Sequence, residues 1–196
     1  MSISEISELK AETEHRARWI GIYVGILATL LAICGVGGGN ASKDATRANI
    51  DLTNMWAFFQ AKNIRRTAFS LAGDELELTL AASATLPADA RRAIDEKIKS
   101  YRETVAHFTS DKTSNEGLDE LFQRAKQLEA ERDTALRKDP YFDLSAALLQ
   151  IAIVLASVAL IAGTNALLLG SGILAVAGTV LMINGFTLWY ALPLLG

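Results

Sequence analysis

Apolar and charged positions are segregated along this chain in long blocks. From Ile20 to Ser42, and again from Leu144 to Gly196, there is no Asp, Glu, Lys, Arg or His. All such residues lie before Trp19 or between Lys43 and Asp143. A surface helix of a soluble domain needs a polar face, and these blocks have none. The first apolar run, residues 19–36, holds 18 residues. That is about 27 Å of helix, against a hydrocarbon core of roughly 30 Å. The second block predicts two further spans, residues 144–168 and 173–195, divided by Gly170-Ser171-Gly172 and each long enough to cross with some tilt. Trp19, Tyr23, Tyr141, Trp189 and Tyr190 lie near the span ends, where amphipathic rings prefer the interface. The expected fold class is an all-α membrane protein with three transmembrane helices. A long extramembrane antiparallel helical hairpin, coiled-coil-like in character, is expected between spans one and two.

Residues 1–18 read as an amphipathic amino-terminal segment. They carry Glu5, Glu8, Glu12 and Glu14 beside Arg16 and Arg18, unlike the short basic region that opens a cleaved signal peptide. Residues 19–36 are therefore expected to stay as an anchor.

Residues 37–143 form the polar domain. Gly35-Val-Gly-Gly-Gly39 is expected to end the first span, because glycine runs end helices, with Ser42 as the N-cap of a new helix. That helix runs to about Ser83. Ile50, Asn54, Ala57, Ala61, Ile64, Ala68 and Leu71 follow alternating spacings of four and three, a heptad seam of mostly small residues. Pro87 opens a second helix to about Phe108. After the polar break at residues 110–117, Thr113 and Glu116 fit a capping box, and Leu118, Leu121, Phe122, Ala125 and Leu128 mark a third helix. Asp139-Pro140 is expected to stop it before span two. The domain must leave the membrane and return to it. The first helix is about 60 Å long, and the other two end to end reach about 70 Å. A long hairpin solves that return most simply.

Candidate chemistry is sparse. The richest signal is Trp56-Ala-Phe-Phe59-Gln60-Ala61-Lys62-Asn-Ile-Arg65-Arg66. Trp56 and Gln60 share a helix face, and the cations follow within two turns. Two readings stay open: a docking site, or aromatic rings packed inside the domain with the cations in solvent. The same run after a first span, with two closing spans, resembles the bacterial membrane proteins grouped as domain of unknown function 4337. The resemblance implies this topology over most of the chain and implies no activity.

Within the spans, Gly21-x-x-x-Gly25 is a spacing that lets helices approach closely, either within one chain or between chains. Ser171, Ala175, Gly178 and Gly185 make a similar small face. Asn165 and Asn184 are expected to bond between helices rather than to bind a ligand. No charge lies in the spans, which argues against ion pumping and proton-coupled transport. No nucleotide loop, dinucleotide fingerprint, metal motif or nucleophile elbow occurs. His15 and His107 lack neighbouring ligands, and Cys34 is the only cysteine, so no metal, no cofactor and no catalytic residue is expected. The polar domain's 16 basic and 18 acidic residues form a balanced, solvated surface, without the basic footprint of nucleic-acid binding.

The expected function is that of a non-enzymatic membrane interaction or scaffold protein, a homo-oligomer in contact with membrane lipid, whose helical domain can also take a protein partner. The alternative is an accessory or pore-forming subunit of a channel or transport assembly, lined by Asn184 and Gly185. The expected location is the bacterial cytoplasmic membrane. Arg16 and Arg18 favour a cytoplasmic amino end and a periplasmic or extracellular domain. Lys43, Arg47, Arg132, Arg137 and Lys138 oppose that orientation, but a domain of about 100 residues translocates largely regardless of charge.

Overall fold

The computed structural model describes residues 3–83 and 85–191, with side chains from Thr13 onward. The last residues of the expected third span, 192–195, lie outside the described residues. The described residues form four α-helices: α1 (Ile3–Ala82), α2 (Ala88–Thr109), α3 (Leu118–Ala162) and α4 (Asn165–Thr187). Among the described residues there is no strand. α1, α3 and α4 each contain a stretch long and apolar enough to cross a membrane. The chain divides into two units: residues 1–45 with 133–196, and residues 46–132.

Three expected breaks are corrected. The glycine run does not end a helix, since α1 continues through it. Gly37 and Gly38 serve packing instead. A Cβ on Gly37 would stand 2.5 Å from the Phe142 ring and 2.8 Å from that of Phe186. Pro140 likewise lies inside α3. An interior proline costs about 3 kcal/mol, and the packing of the next two residues, Tyr141 and Phe142, both buried, offsets it. Finally, the break between the last two apolar helices falls at Gly163-Thr164, not at Gly170-Ser171-Gly172. Gly163 takes the left-handed conformation, φ +67°, that commonly follows a helix end. Thr164 is extended and precedes α4.

The first unit is held by small residues and short polar bonds. Leu27, Cys34 and Ala41 of α1 join Phe142, Leu149 and Ala152 of α3 and Ala175 and Met182 of α4 in one core. The inward face of α4 is Ser171, Ala175, Gly178, Met182 and Gly185, so the expected small face packs within the chain. Buried Ser145 donates to the Gly178 carbonyl and buried Ser171 to that of Ala152, both at 2.7 Å. The Tyr23 hydroxyl lies 3.1 Å from Ser171 Oγ, and Cys34 Sγ donates to the Phe142 carbonyl at 3.1 Å. Each such interhelical bond contributes about 0.6 kcal/mol in a membrane setting. Their value is largely in register, since each ties a particular turn of one helix to a particular turn of the next.

Candidate interaction surface

In the second unit, residues 46–82 of α1 have two unlike faces. One is covered. Trp56 and Phe59 meet Phe122 of α3 with ring centroids 5.9 and 6.5 Å apart, and each other at 5.4 Å. Farther along, Phe69 meets Tyr101 at 5.4 Å and Phe108 at 5.9 Å on α2. The two Trp56 pairs are edge to face, a geometry that suits the ring quadrupoles and adds about 0.5–1.5 kcal/mol per pair beyond burial, and the other three are tilted. Beyond Phe69, Arg102 bonds Asp74 at 2.6 Å and Glu77 at 2.9 Å. The Glu77 bond first, then that to Asp74, hold the guanidinium pKa above its usual value. The partners of α1 thus run in reverse order along α3 and α2.

Lys62 belongs to this covered side. Its ammonium donates to the Glu116 carbonyl and lies 5.9 Å and 5.7 Å from the ring centroids of Phe58 and Phe108. It anchors the turn between α2 and α3 and is not simply a solvated cation.

The expected capping box at Thr113 and Glu116 does not form, because the turn is built otherwise. Asp111 Oδ1 accepts from the amides of Thr113 at 3.1 Å and Ser114 at 3.2 Å. The Glu120 carboxylate accepts from the Ser110 hydroxyl at 2.7 Å and the Asp111 amide at 3.1 Å. The Ser114 hydroxyl holds the Asp111 carboxyl below the usual range, with help from the Ser114 amide. The Ser110 hydroxyl does the same for Glu120, against some loss of hydration. Gly117 sits so close that a Cβ there would lie 2.6 Å from Ser110 Cα. The pairing of Ser110-Asp111 with Gly117 and Glu120 was the overlooked signal.

The opposite face of α1 is open. Gln60, Ala61 and Arg65 are exposed there. So is the whole seam: Ile50 is 55% exposed, Ile64 67% and Leu71 57%, with Asn54, Ala57, Ala61 and Ala68 exposed between them. The rule of sevens continues to Leu78, which is 69% exposed. The residues of the Trp56–Arg66 run therefore part: Trp56, Phe59 and Lys62 hold the unit together and Arg66 is half-buried, while Gln60, Ala61 and Arg65 face outward.

The candidates in the first unit divide similarly. Gly21 and Gly25 are exposed, and a Cβ at either would meet nothing within 4 Å; they do no packing within the chain. Gly178 and Gly185 do. A Cβ on Gly178 would reach Leu149 at 3.1 Å, and one on Gly185 the Phe142 ring at 3.1 Å. Asn184 bonds the backbone of Tyr190 in both directions, Nδ2 to the carbonyl at 2.7 Å and Oδ1 from the amide at 2.9 Å. Asn165 Oδ1 accepts from Arg16 at 2.9 Å, and Arg16 also donates to the Gly163 carbonyl at 2.9 Å. Asn165 thus bonds to another helix, as expected, whereas Asn184 closes the end of its own helix instead of reaching a second one. Among the described residues, no three His, Cys, Asp or Glu side chains cluster as a metal site would.

Neither a curated protein nor a solved structure matches the chain. A family model does match, over residues 16–188, that of the domain of unknown function DUF4337. The expected resemblance thus holds across both units, and the chain belongs to the DUF4337 family.

Proposed function

We propose that this is a non-enzymatic membrane-embedded interaction protein whose polar helical unit binds a protein surface outside the bilayer. One observation carries the reading. The chain covers one face of α1 with its own aromatic cluster and leaves a second, apolar, heptad-spaced face in the open. Contiguous exposed apolar surface on a folded domain usually marks an interface. In this reading α1, α3 and α4 cross the bacterial cytoplasmic membrane, with Leu169, Ile173, Val176 and Val180 of α4 against acyl chains. Residues 46–132 form an antiparallel, coiled-coil-like hairpin on the far side from a cytoplasmic amino end. The pore alternative loses support, because Asn184, its polar lining, is already bonded to the Tyr190 backbone.

Purification of the full chain in a mild detergent, followed by native mass spectrometry, tests the reading. A complex larger than one chain is expected, whether of copies or of different proteins. A single chain in every detergent, and in membrane nanodiscs prepared without detergent extraction, would contradict it.

A further inference from the structure

We infer that the open face of α1 is occupied by a second copy of this chain, paired parallel and in register from Ile50 to Leu78 within the same membrane; this rests on the interaction reading above and names the partner. At every seventh position stand Ile50, Ala57, Ile64, Leu71 and Leu78. Between them, four residues after each, stand Asn54, Ala61, Ala68 and Glu75. The spacing is that of a two-stranded coiled-coil seam. The segment is 29 residues long from Ile50 to Leu78, about 42 Å of helix.

Several features fit self-pairing. In a parallel pair each seam residue meets its own copy, so the alanine layers at 57, 61 and 68, which permit close approach, lie between Ile and Leu layers that fill the space. Asn54 would face Asn54 of the second copy. An amide is donor and acceptor at once, so it is its own complement, and one buried Asn in such a seam fixes register. On the flanks, parallel pairing sets each residue opposite one five positions on. Gln60 then meets Arg65 of the second copy, where the amide oxygen accepts from the guanidinium. Asp74 meets Thr79, and Thr67 meets Ala72. No like charges meet on these flanks, so nothing there rejects a second copy. The single like pair is Glu75 with Glu75, near the end of the seam.

Size and topology agree. Covering Ile50, Phe58, Ile64, Leu71 and Leu78, all at least 44% exposed, buries on the order of 600 Å² per chain with the alanines between. The total, about 1,200 Å², reaches the lower edge of specific interfaces. Two copies inserted in one bilayer share the direction in which α1 leaves it, so their seams meet parallel.

The test is site-directed cross-linking in native membranes. A photo-cross-linking residue is placed at Ile64 and, as a control, at exposed Glu103 of α2. Separately, Ile64→Cys is oxidised in a Cys34→Ser background, which keeps a donor for the Phe142 carbonyl. The expected results are an adduct of twice the chain mass from position 64 but not from 103, and a disulfide joining position 64 of two chains. Because Ile64 is exposed, Ile64→Asp should leave helix content unchanged while halving the native mass. An adduct between position 64 and a different polypeptide would overturn the second copy and leave the interaction reading standing. No adduct from either position, with an unchanged native mass for Ile64→Asp, would overturn both.

Discussion

Three glycines in one run of α1 should respond to alanine in opposite ways. At Gly37 the added Cβ would lie 2.5 Å and 2.8 Å from two Phe142 ring carbons and 2.8 Å from Phe186. Carbon atoms at optimal contact are about 3.5–4.0 Å apart, so something must move. Phe142 has little room to do so. It is 3% exposed, meets Phe186 edge to face at 4.8 Å, and lies within 3.1 Å of the Cβ positions of Gly38 and Gly185 as well. Overpacking of this kind costs about 1–3 kcal/mol. At Gly35 and Gly39 the same methyl would meet nothing within 4 Å. There, replacing a mid-helix glycine stabilises by about 0.5–1 kcal/mol. Gly37→Ala should therefore be less stable than Gly39→Ala by about 1–3 kcal/mol, the overpacking cost alone, because the gain from replacing a helical glycine is common to both. The assay is reversible unfolding in mixed micelles, followed by circular dichroism. Adding Phe142→Leu should restore part of the loss in Gly37→Ala, a non-additivity expected of residues in contact. Equal stabilities for the Gly37 and Gly39 variants would refute the cradle around Phe142.

Two other outcomes are expected. Trp56→Ala should destabilise the protein by about 2–4 kcal/mol, slightly under the fully buried range because Trp56 is only part-buried. Lys62→Ala should cost less and act mainly by freeing the turn at Glu116. The same unfolding assay ranks the two, and a larger loss at Lys62 would reverse the assignment of the aromatic cluster as the unit's core. The turn at residues 110–117 should also loosen in acid. The Asp111 and Glu120 carboxyls are held below their usual pKa values in the fold, so their contribution is complete above the unfolded carboxylate range, about pH 4. It is lost as pH falls through the depressed folded values. Amide exchange at residues 111–117, corrected for its intrinsic pH dependence, should rise on acidification in the native protein, rise less in Glu120→Gln, and change little in the Asp111→Asn/Glu120→Gln double variant. A flat profile in the native protein would contradict the latch.

Much of this architecture was legible in the residue pattern. The three apolar stretches, the start of α2 near Pro87 and that of α3 at Leu118 follow from hydrophobic spacing and turn residues. The Trp56 face was visible as well. What misled was punctuation. Glycine runs and prolines end helices where water can take the freed backbone groups, yet at Gly35–Gly39 and Pro140 the surroundings are apolar or tightly packed. There the absence of a side chain, or the bulk of Tyr141 and Phe142 just after the proline, matters more than local propensity. Gly163-Thr164, a left-handed residue before an extended one, was the true break. The glycines beside Ser171 suggest a turn, but its place on the small face of α4 prevails, and its hydroxyl is spent on the Ala152 carbonyl. Spacing alone could place Ile50, Ile64 and Leu71 on one stripe, but not say whether the chain's own helices would cover it.

The claim that most needs testing is that residues 46–132 stand outside a membrane crossed three times. Single cysteines in the Cys34→Ser background, at Glu103 for the polar unit and at Val154 and Val180 for the α3 and α4 spans, would be exposed to an impermeant maleimide in sealed vesicles of each orientation. Reporter fusions at the two termini would be read in parallel. Position 103 should label from one face only, positions 154 and 180 from neither until detergent is added, and the termini should report opposite sides. Labelling of position 154 or 180 in intact vesicles, or both termini on one side, would contradict the three-span account.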